Sequence, residues 1–324
     1  MSRVRVATGA RLHFGFGNLS LDHERLYGGL GVGLDAPRTV VTAEPADDVA
    51  CAHGLGREYA KRAVELLGVS GASVAVESTL PRHVGLGSGT QLALATLAAV
   101  ARAHGRDPRA RSRAPELGRA GRSGVGVATF ERGGVVVDGG HPSEAFTPER
   151  PADGTWETPP VVTRRDVPEG WRFLLVVPEA DVGRNGECED ESMRCVITDA
   201  DPGVADRIAG VVLRRLLPAL ADGSAARFGA AIERIDRLNG RWYADEQSGI
   251  YREPVGTLVD LLSSEPSCFG VGQSSWGPCV YGVTDVDHAD AARRAGQEAL
   301  RSADLAGEVR VVAGRNEGAE VVRT

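Results

Sequence analysis

The chain has 324 residues, 42% of them hydrophobic and 25% charged, with a net charge of −7 at pH 7. That length and apolar content allow one large domain or two ordinary ones around a substantial core. The acidic balance argues against general nucleic-acid binding, which needs a basic face, and no apolar run reaches the roughly 18 to 20 residues of a membrane span.

Met1-Ser2-Arg3-Val4-Arg5 has no apolar signal region, so a cytoplasmic location is expected. Residues 3–8 alternate as a strand does. A glycine-dense stretch from Gly9 through Gly33 reads as a loop, and residues 39–44 as another strand. Residues 57–67 have helical spacing, with Ala60, Ala63, Val64 and Leu67 on one face. Residues 73–77 read as a strand leading into Pro81, and residues 90–104 form the strongest helix pattern, with Gly105 as its stop. Residues 142–168 are Pro-rich, polar and aperiodic, and read as the connection between two halves. Beyond them a buried strand is expected at 171–177, helices at 204–217, 225–239 and around 254–263, and strands at 268–271 and 279–283. A helix at 288–303 and a strand at 308–313 complete the pattern. Strands and helices mix without a regular βαβ repeat, which predicts two α+β domains, residues 1–165 and 166–324.

Five scattered cysteines without a CxxC read as free thiols in a reducing compartment. Lys61 is the only lysine, so nearly all positive charge is arginine. Codon bias accounts for that, although guanidinium forks also suit phosphate and carboxylate ligands.

The chemistry concentrates in Pro81-Arg82-His83-Val84-Gly85-Leu86-Gly87-Ser88-Gly89-Thr90-Gln91, which runs from a strand into the helix at 90–104. Its glycines let the backbone approach an anion closely. The helix start behind them offers unpaired N–H groups and about half a positive charge. Ser88 and Thr90 add hydroxyls for phosphate oxygens or Mg²⁺, and His83 and Gln91 flank the loop. No GK[ST] follows, so this is not a Walker A loop. The plainer alternative is a Gly-rich turn before a core helix. Asn239 with Trp242 and Tyr243 reads as a helix C-cap, and Arg184-Asn185, between Gly183 and Gly186, as a loop over the site.

The same segment resembles the second signature of the GHMP kinase superfamily, with Gly89 and Thr90 where Ser-Ala is usual. Residues 121–134 resemble its later Ser-Gly-x-Asp stretch, but Gly126 stands where many of those kinases carry an aspartate near the reacting hydroxyl. Ala10-Arg11-Leu12-His13-Phe14-Gly15, Tyr27-Gly28-Gly29-Leu30-Gly31-Val32 and Gly270-Val271-Gly272-Gln273-Ser274-Ser275-Trp276-Gly277-Pro278 narrow the resemblance to the β-ribofuranosylaminobenzene 5′-phosphate synthases. Arg122-Ser123, Val136-Val137-Asp138-Gly139-Gly140, Asn316 and Gly318 fit that family, whose members often carry an acid where Asn18 stands.

The resemblance implies a GHMP-type two-domain fold, with a first half like domain 2 of ribosomal protein S5 and a ferredoxin-like second half. It implies an enzyme joining 5-phosphoribosyl 1-diphosphate to 4-hydroxybenzoate or 4-aminobenzoate, with loss of CO₂ and diphosphate, as in a methanopterin-type pathway. Mg²⁺ is expected, with Ser88 as a ligand, and no organic cofactor. Partners are small-molecule substrates and, by analogy, a second copy of the chain, with neither nucleic acid nor membrane. Arg11, His13 and Arg25 are the expected catalytic residues. Gly85, Leu86, Gly87, Ser88, Gly89, Thr90, Gln91, Tyr27, Arg122, Ser123, Gln273, Ser274, Ser275 and Trp276 are expected to bind substrate. A structural histidine and core aromatics are the alternative readings of His13 and Phe14. An ATP-dependent small-molecule kinase and a non-catalytic binder of a phosphorylated metabolite remain open.

Overall fold

A computed structural model describes residues 3–147, 149–179, 187–247 and 249–323. The chain opens with two long strands, β1 (Val4–Asn18) and β2 (Arg25–Pro45), followed by α1 (Gly54–Leu67), β3 (Ala72–Ser78) and α2 (Ser88–Ala103). Next come α3 (Val125–Arg132), β4 (Val135–Asp138) and β5 (Val161–Arg165). The second half holds β6 (Trp171–Pro178), α4 (Glu187–Asp199), α5 (Pro202–Val211), α6 (Ala225–Trp242) and α7 (Val255–Ser263). It continues with β7 (Gly270–Gln273), β8 (Val280–Asp285), α8 (Ala289–Ser302), β9 (Gly307–Ala313) and β10 (Glu320–Arg323).

The strands sort into two sheets. In the first, β10, β1, β2 and β3 lie side by side, and β4 joins β2 to β5. The second has the order β9-β6-β8-β7, antiparallel throughout. With helices between β6 and β7 and α8 between β8 and β9, this is the ferredoxin-like arrangement. The fold is thus α+β in two halves, and β10 crosses back to pair with β1 of the first sheet. None of the described helices is long and apolar enough to cross a membrane.

The expected loop from Gly9 to Gly33 is instead the paired body of β1 and β2, with register shifts after Gly9 and after His13. Its glycines mark close packing rather than a turn: a Cβ on Gly31 would lie 2.3 Å from the Leu12 carbonyl oxygen and 2.7 Å from Val125 Cγ1. Likewise the expected connection at 142–168 contains β5, so the first sheet extends to Arg165.

Helix α2 is buried all round, from Leu92 to Ala101 without a break. Its alanines let β1, β2, α1 and α3 approach closely, which explains why a run too continuous for an amphipathic helix is stable here. Gly105 adopts φ +67 just past its end, and the Arg106 N–H closes on the Ala101 carbonyl at 2.8 Å.

Two asparagines join segments by bonding both the backbone N–H and the carbonyl of one distant residue. Asn239 of α6 accepts from Phe16 N at 2.7 Å and donates to Phe16 O at 3.1 Å, where β1 is irregular near Gly15. It is therefore a tie between the two halves and not a helix cap. Asn316 holds Val167 in the same way, at 2.7 and 2.9 Å. A Cβ on Gly318 would lie 2.1 Å from the Glu131 carbonyl oxygen, so that glycine allows the last segment to pack on α3.

Candidate functional site

The Gly-rich loop sits at the start of α2, with Gly87 in the N-cap position at φ +81. Beneath it, Arg11 of β1 donates Nη1 to the Gly85 carbonyl at 2.7 Å, and its backbone N–H bonds the Leu86 carbonyl at 3.1 Å. The loop is braced from the other half as well. Ser274 Oγ donates to the Gly85 carbonyl at 2.7 Å and accepts from His13 N at 3.1 Å. Ser275 N donates to the His13 carbonyl at 3.1 Å, so the β7–β8 turn rests on β1 and on the loop together.

Over this base lies a cleft of about 290 Å³. Gly85, Gly87, Ser88, Gly89 and Thr90 form one wall, and Arg11, Arg82, Arg119, His53, His83, Ser275 and Trp276 contribute to the rest. Among the described lining residues there is no carboxylate. Arg119 lies against Gly89: a Cβ there would sit 2.9 Å from its Nη1. Its guanidinium bonds Tyr59 Oη and stacks 5.4 Å over that ring, and its Nε is buried without a partner. His53 accepts from Gly56 N at Nδ1, 3.0 Å, which leaves Nε2 to carry the ring proton. The arrangement is built for an anion: a helix start, hydroxyls, guanidinium groups and no opposing acid.

Mg²⁺ usually takes one or two carboxylates together with substrate phosphates. The described cleft lining offers hydroxyls, Ser88 and Thr90 among them, and the imidazoles of His53 and His83 but no carboxylate, and no cluster of three metal-binding side chains exists among the described residues. A protein-held ion does not fit these donors. One carried in by a phosphorylated ligand would meet Ser88 Oγ.

A second, inner chamber of about 50 Å³ lies between β1, α6 and the β7–β8 turn. His13, Phe14, Phe16, Asp236, Asn239, Tyr243, Tyr251 and Gln273 line it, and Ser275 and Trp276 face both spaces. His13 is therefore not in the anion cleft. Its ring packs edge-on to Phe16 at 4.9 Å, and its Nε2 is buried without a partner. Burial, together with the nearby Arg11 and Arg122 charges, holds its pKa well below the usual histidine value. Asp236 accepts from Gln273 N at 3.0 Å and from Tyr251 Oη. Burial pushes its carboxyl up to about 7. Trp276 meets Tyr243 edge-on at 4.5 Å and lines both spaces.

Several expected ligand contacts stand elsewhere. Gln91 is fully buried, accepting from Thr8 Oγ1 at 2.7 Å and donating to the Gly126 carbonyl at 2.9 Å, so it ties β1, α2 and α3 together. Ser274 is fully buried in the bracing described above, and the Leu86 side chain faces the core. Ser123 donates to Asp138, a buried carboxylate that also takes the Gly124 and Gly140 N–H groups. Arg25 donates to the carbonyls of Gly139 and Gly140, and the Tyr27 ring packs against Phe16 and His141. Arg25, Tyr27, Arg122 and Ser123 line neither space. Arg184 and Asn185 lie outside the described residues.

Both departures from the kinase signature meet in space. A Cβ on Gly126 would lie 3.1 Å from Thr90 Cγ2, so the threonine side chain stands where a side chain at 126 would go. Asn18 donates Nδ2 to the Ser20 and Arg25 carbonyls at 2.7 and 2.8 Å, bonds that a carboxylate could not make.

Arg119, Asp236 and Tyr251 were not singled out in the sequence. Arg119 has no local signature. Asp236 does: with Ile232, Ile235, Asn239 and Tyr243 it continues the buried stripe of α6, where a lone acid is conspicuous.

The family model for the GHMP kinases N terminal domain matches residues 58–134, and that for the GHMP kinases C terminal region matches 216–302. The beta-ribofuranosylphenol 5′-phosphate synthase of Methanothermobacter thermautotrophicus is 33% identical, covering 98% of each chain. That of Archaeoglobus fulgidus is also 33% identical, over 87% of this chain and 88% of its own. Among solved structures, homoserine kinase from Cytophaga hutchinsonii aligns with a TM-score of 0.67 at 16% identity, covering 99% of this chain and 97% of its own. Streptococcus pneumoniae phosphomevalonate kinase aligns with a TM-score of 0.69 at 12% identity, covering 97% and 100%.

Proposed function

The chain belongs to the family of beta-ribofuranosylphenol 5′-phosphate synthases, and from that premise we propose that it condenses 5-phosphoribosyl 1-diphosphate with 4-hydroxybenzoate or 4-aminobenzoate. The observation that carries the reading is the acid-free, arginine-lined cleft at the start of α2. A donor bearing a phosphate and a diphosphate matches such a cleft, and the carboxylate that many of the kinases place near the reacting hydroxyl is replaced here by Gly126.

In the proposed step the bond from ribose C1 to the diphosphate oxygen breaks, and the ring carbon bearing the carboxylate bonds to C1. The bond from that ring carbon to the carboxylate then breaks as CO₂ leaves, its electron pair restoring the aromatic ring. Arg11, Arg119 and the amides at the start of α2 hold the departing diphosphate by charged hydrogen bonds. A Mg²⁺ arriving with the diphosphate would neutralise part of its charge beside Ser88. Trp276 and Ser275, between the two spaces, are where the donor carbon and the acceptor ring would meet, screened from water.

Two parallel incubations test this. One contains the protein with phosphoribosyl diphosphate, Mg²⁺ and either benzoate, and the other contains ATP with a panel of alcohols. Equal amounts of CO₂ and diphosphate in the first, with no ADP in the second, are expected. ADP formation without CO₂ would return the chain to the kinases, and tight binding of the donor without turnover would make it a binding protein.

A further inference from the structure

The inner chamber has a composition that the anion cleft does not explain. It is a small, aromatic-walled space lined by two buried ionisable groups, His13 and Asp236. His13 Nε2 has no partner there. Asp236 spends one bond per oxygen on Gln273 N and Tyr251 Oη, and each oxygen keeps a further lone pair. At about 50 Å³ the chamber is much smaller than the cleft of about 290 Å³. Its aromatic walls suit the edge of an aromatic ring, and its ionisable groups suit a single polar substituent on that ring.

Resting on the reaction proposed above, we infer that this chamber takes the hydroxyl- or amino-bearing end of the acceptor ring, with Asp236 accepting the hydrogen of that substituent. Asp236 is then the residue that selects the acceptor. The opposite end of the ring, carrying the carboxylate, passes Trp276 and Ser275 toward the cleft, since both residues face both spaces. That direction presents the carbon across the ring from the substituent, the one its electron donation makes nucleophilic. Tyr251, bonded to the other oxygen of Asp236, is a positioning residue that fixes the carboxyl plane.

Isothermal titration of 4-hydroxybenzoate and of unsubstituted benzoate, with and without saturating diphosphate, tests the inference directly. The hydroxylated ligand should bind at least tenfold more tightly, because a buried acceptor left unpaired penalises the analogue lacking the hydrogen. Asp236→Leu keeps the side-chain shape without its oxygens and should reduce that ratio at least fivefold. Tyr251→Phe should reduce it less. Equal affinities in the unaltered protein, no binding of either benzoate under either condition, or an unchanged ratio in folded Asp236→Leu would overturn the assignment. The first two readouts need no variant to fold. If 4-hydroxybenzoate is selected while neither diphosphate nor phosphoribosyl diphosphate binds, the chamber stands and the reaction proposed for the cleft falls.

Discussion

At the level of single residues, the arginines separate by what their guanidinium groups face. Arg119 borders Gly89 in the cleft, with a buried Nε that no protein group satisfies. Arg119→Ala should weaken diphosphate binding by roughly 10- to 100-fold, as for a lost charged hydrogen bond of about 1.5–3 kcal/mol. Calorimetric titration checks it, and Arg119→Lys should restore only part of the loss because one ammonium replaces a fork. Arg25→Ala should leave diphosphate affinity unchanged, since Arg25 is bound to the Gly139 and Gly140 carbonyls. Arg25 stood out through its motif, while Arg119 became visible only once the segment between α2 and α3 folded back onto Tyr59 of α1 and Gly89 of α2. Asp236 makes a pH prediction. Its carboxyl keeps its proton to about pH 7 in the folded protein but loses it near 3.8, the ordinary aspartate value, when unfolded. Between those values the folded state binds more protons, so Asp236 stabilises less and less as pH rises from about 4 to about 7. Tyr251, Tyr281, Arg237 and Glu233 face it and remain unchanged by the substitution. Asp236→Asn should therefore gain stability relative to the unaltered protein across that window, read from urea unfolding at the two ends.

At the level of elements, what the sequence revealed depended on whether periodicity or packing set the pattern. Helix α2 and the stop at Gly105 were legible because a continuous Ala/Leu run followed by glycine admits few other structures. The body of β1 and β2 was not legible, because their glycines answer to neighbours far along the chain, such as Val125 against Gly31. A strand pattern rests on side-chain alternation, and a glycine contributes none. Asn239 was misread for a related reason: at a helix end a cap is the local explanation, whereas its partner Phe16 lies 223 positions away. Asn239→Ala strips both the backbone N–H and the carbonyl of Phe16 of this partner and should destabilise the protein by roughly 1–3 kcal/mol. Leu94→Ala, in the fully buried face of α2, should cost about 2–5 kcal/mol through the cavity it leaves. Denaturant midpoints measure both.

At the level of the whole molecule, the two halves meet where one binding space becomes the other. The first half supplies the anion loop and His13, the second supplies Asp236 and the turn carrying Ser275 and Trp276. The fold is that of the GHMP kinases, but Thr90 occupies the space beside Gly126. Gly126→Asp combined with Thr90→Ala should therefore give a folded protein with room for the new carboxylate, and it should still form no ADP from ATP and alcohols, because the rest of the cleft, with Arg11 and Arg119, is unchanged. The most direct measurement uses 4-hydroxybenzoate labelled with ¹⁴C in its carboxyl group, supplied with phosphoribosyl diphosphate. The account predicts labelled CO₂ released in equal amount to diphosphate, and none without the donor. Retention of the label in the ribosylated product, or release of diphosphate with no labelled CO₂, would contradict it.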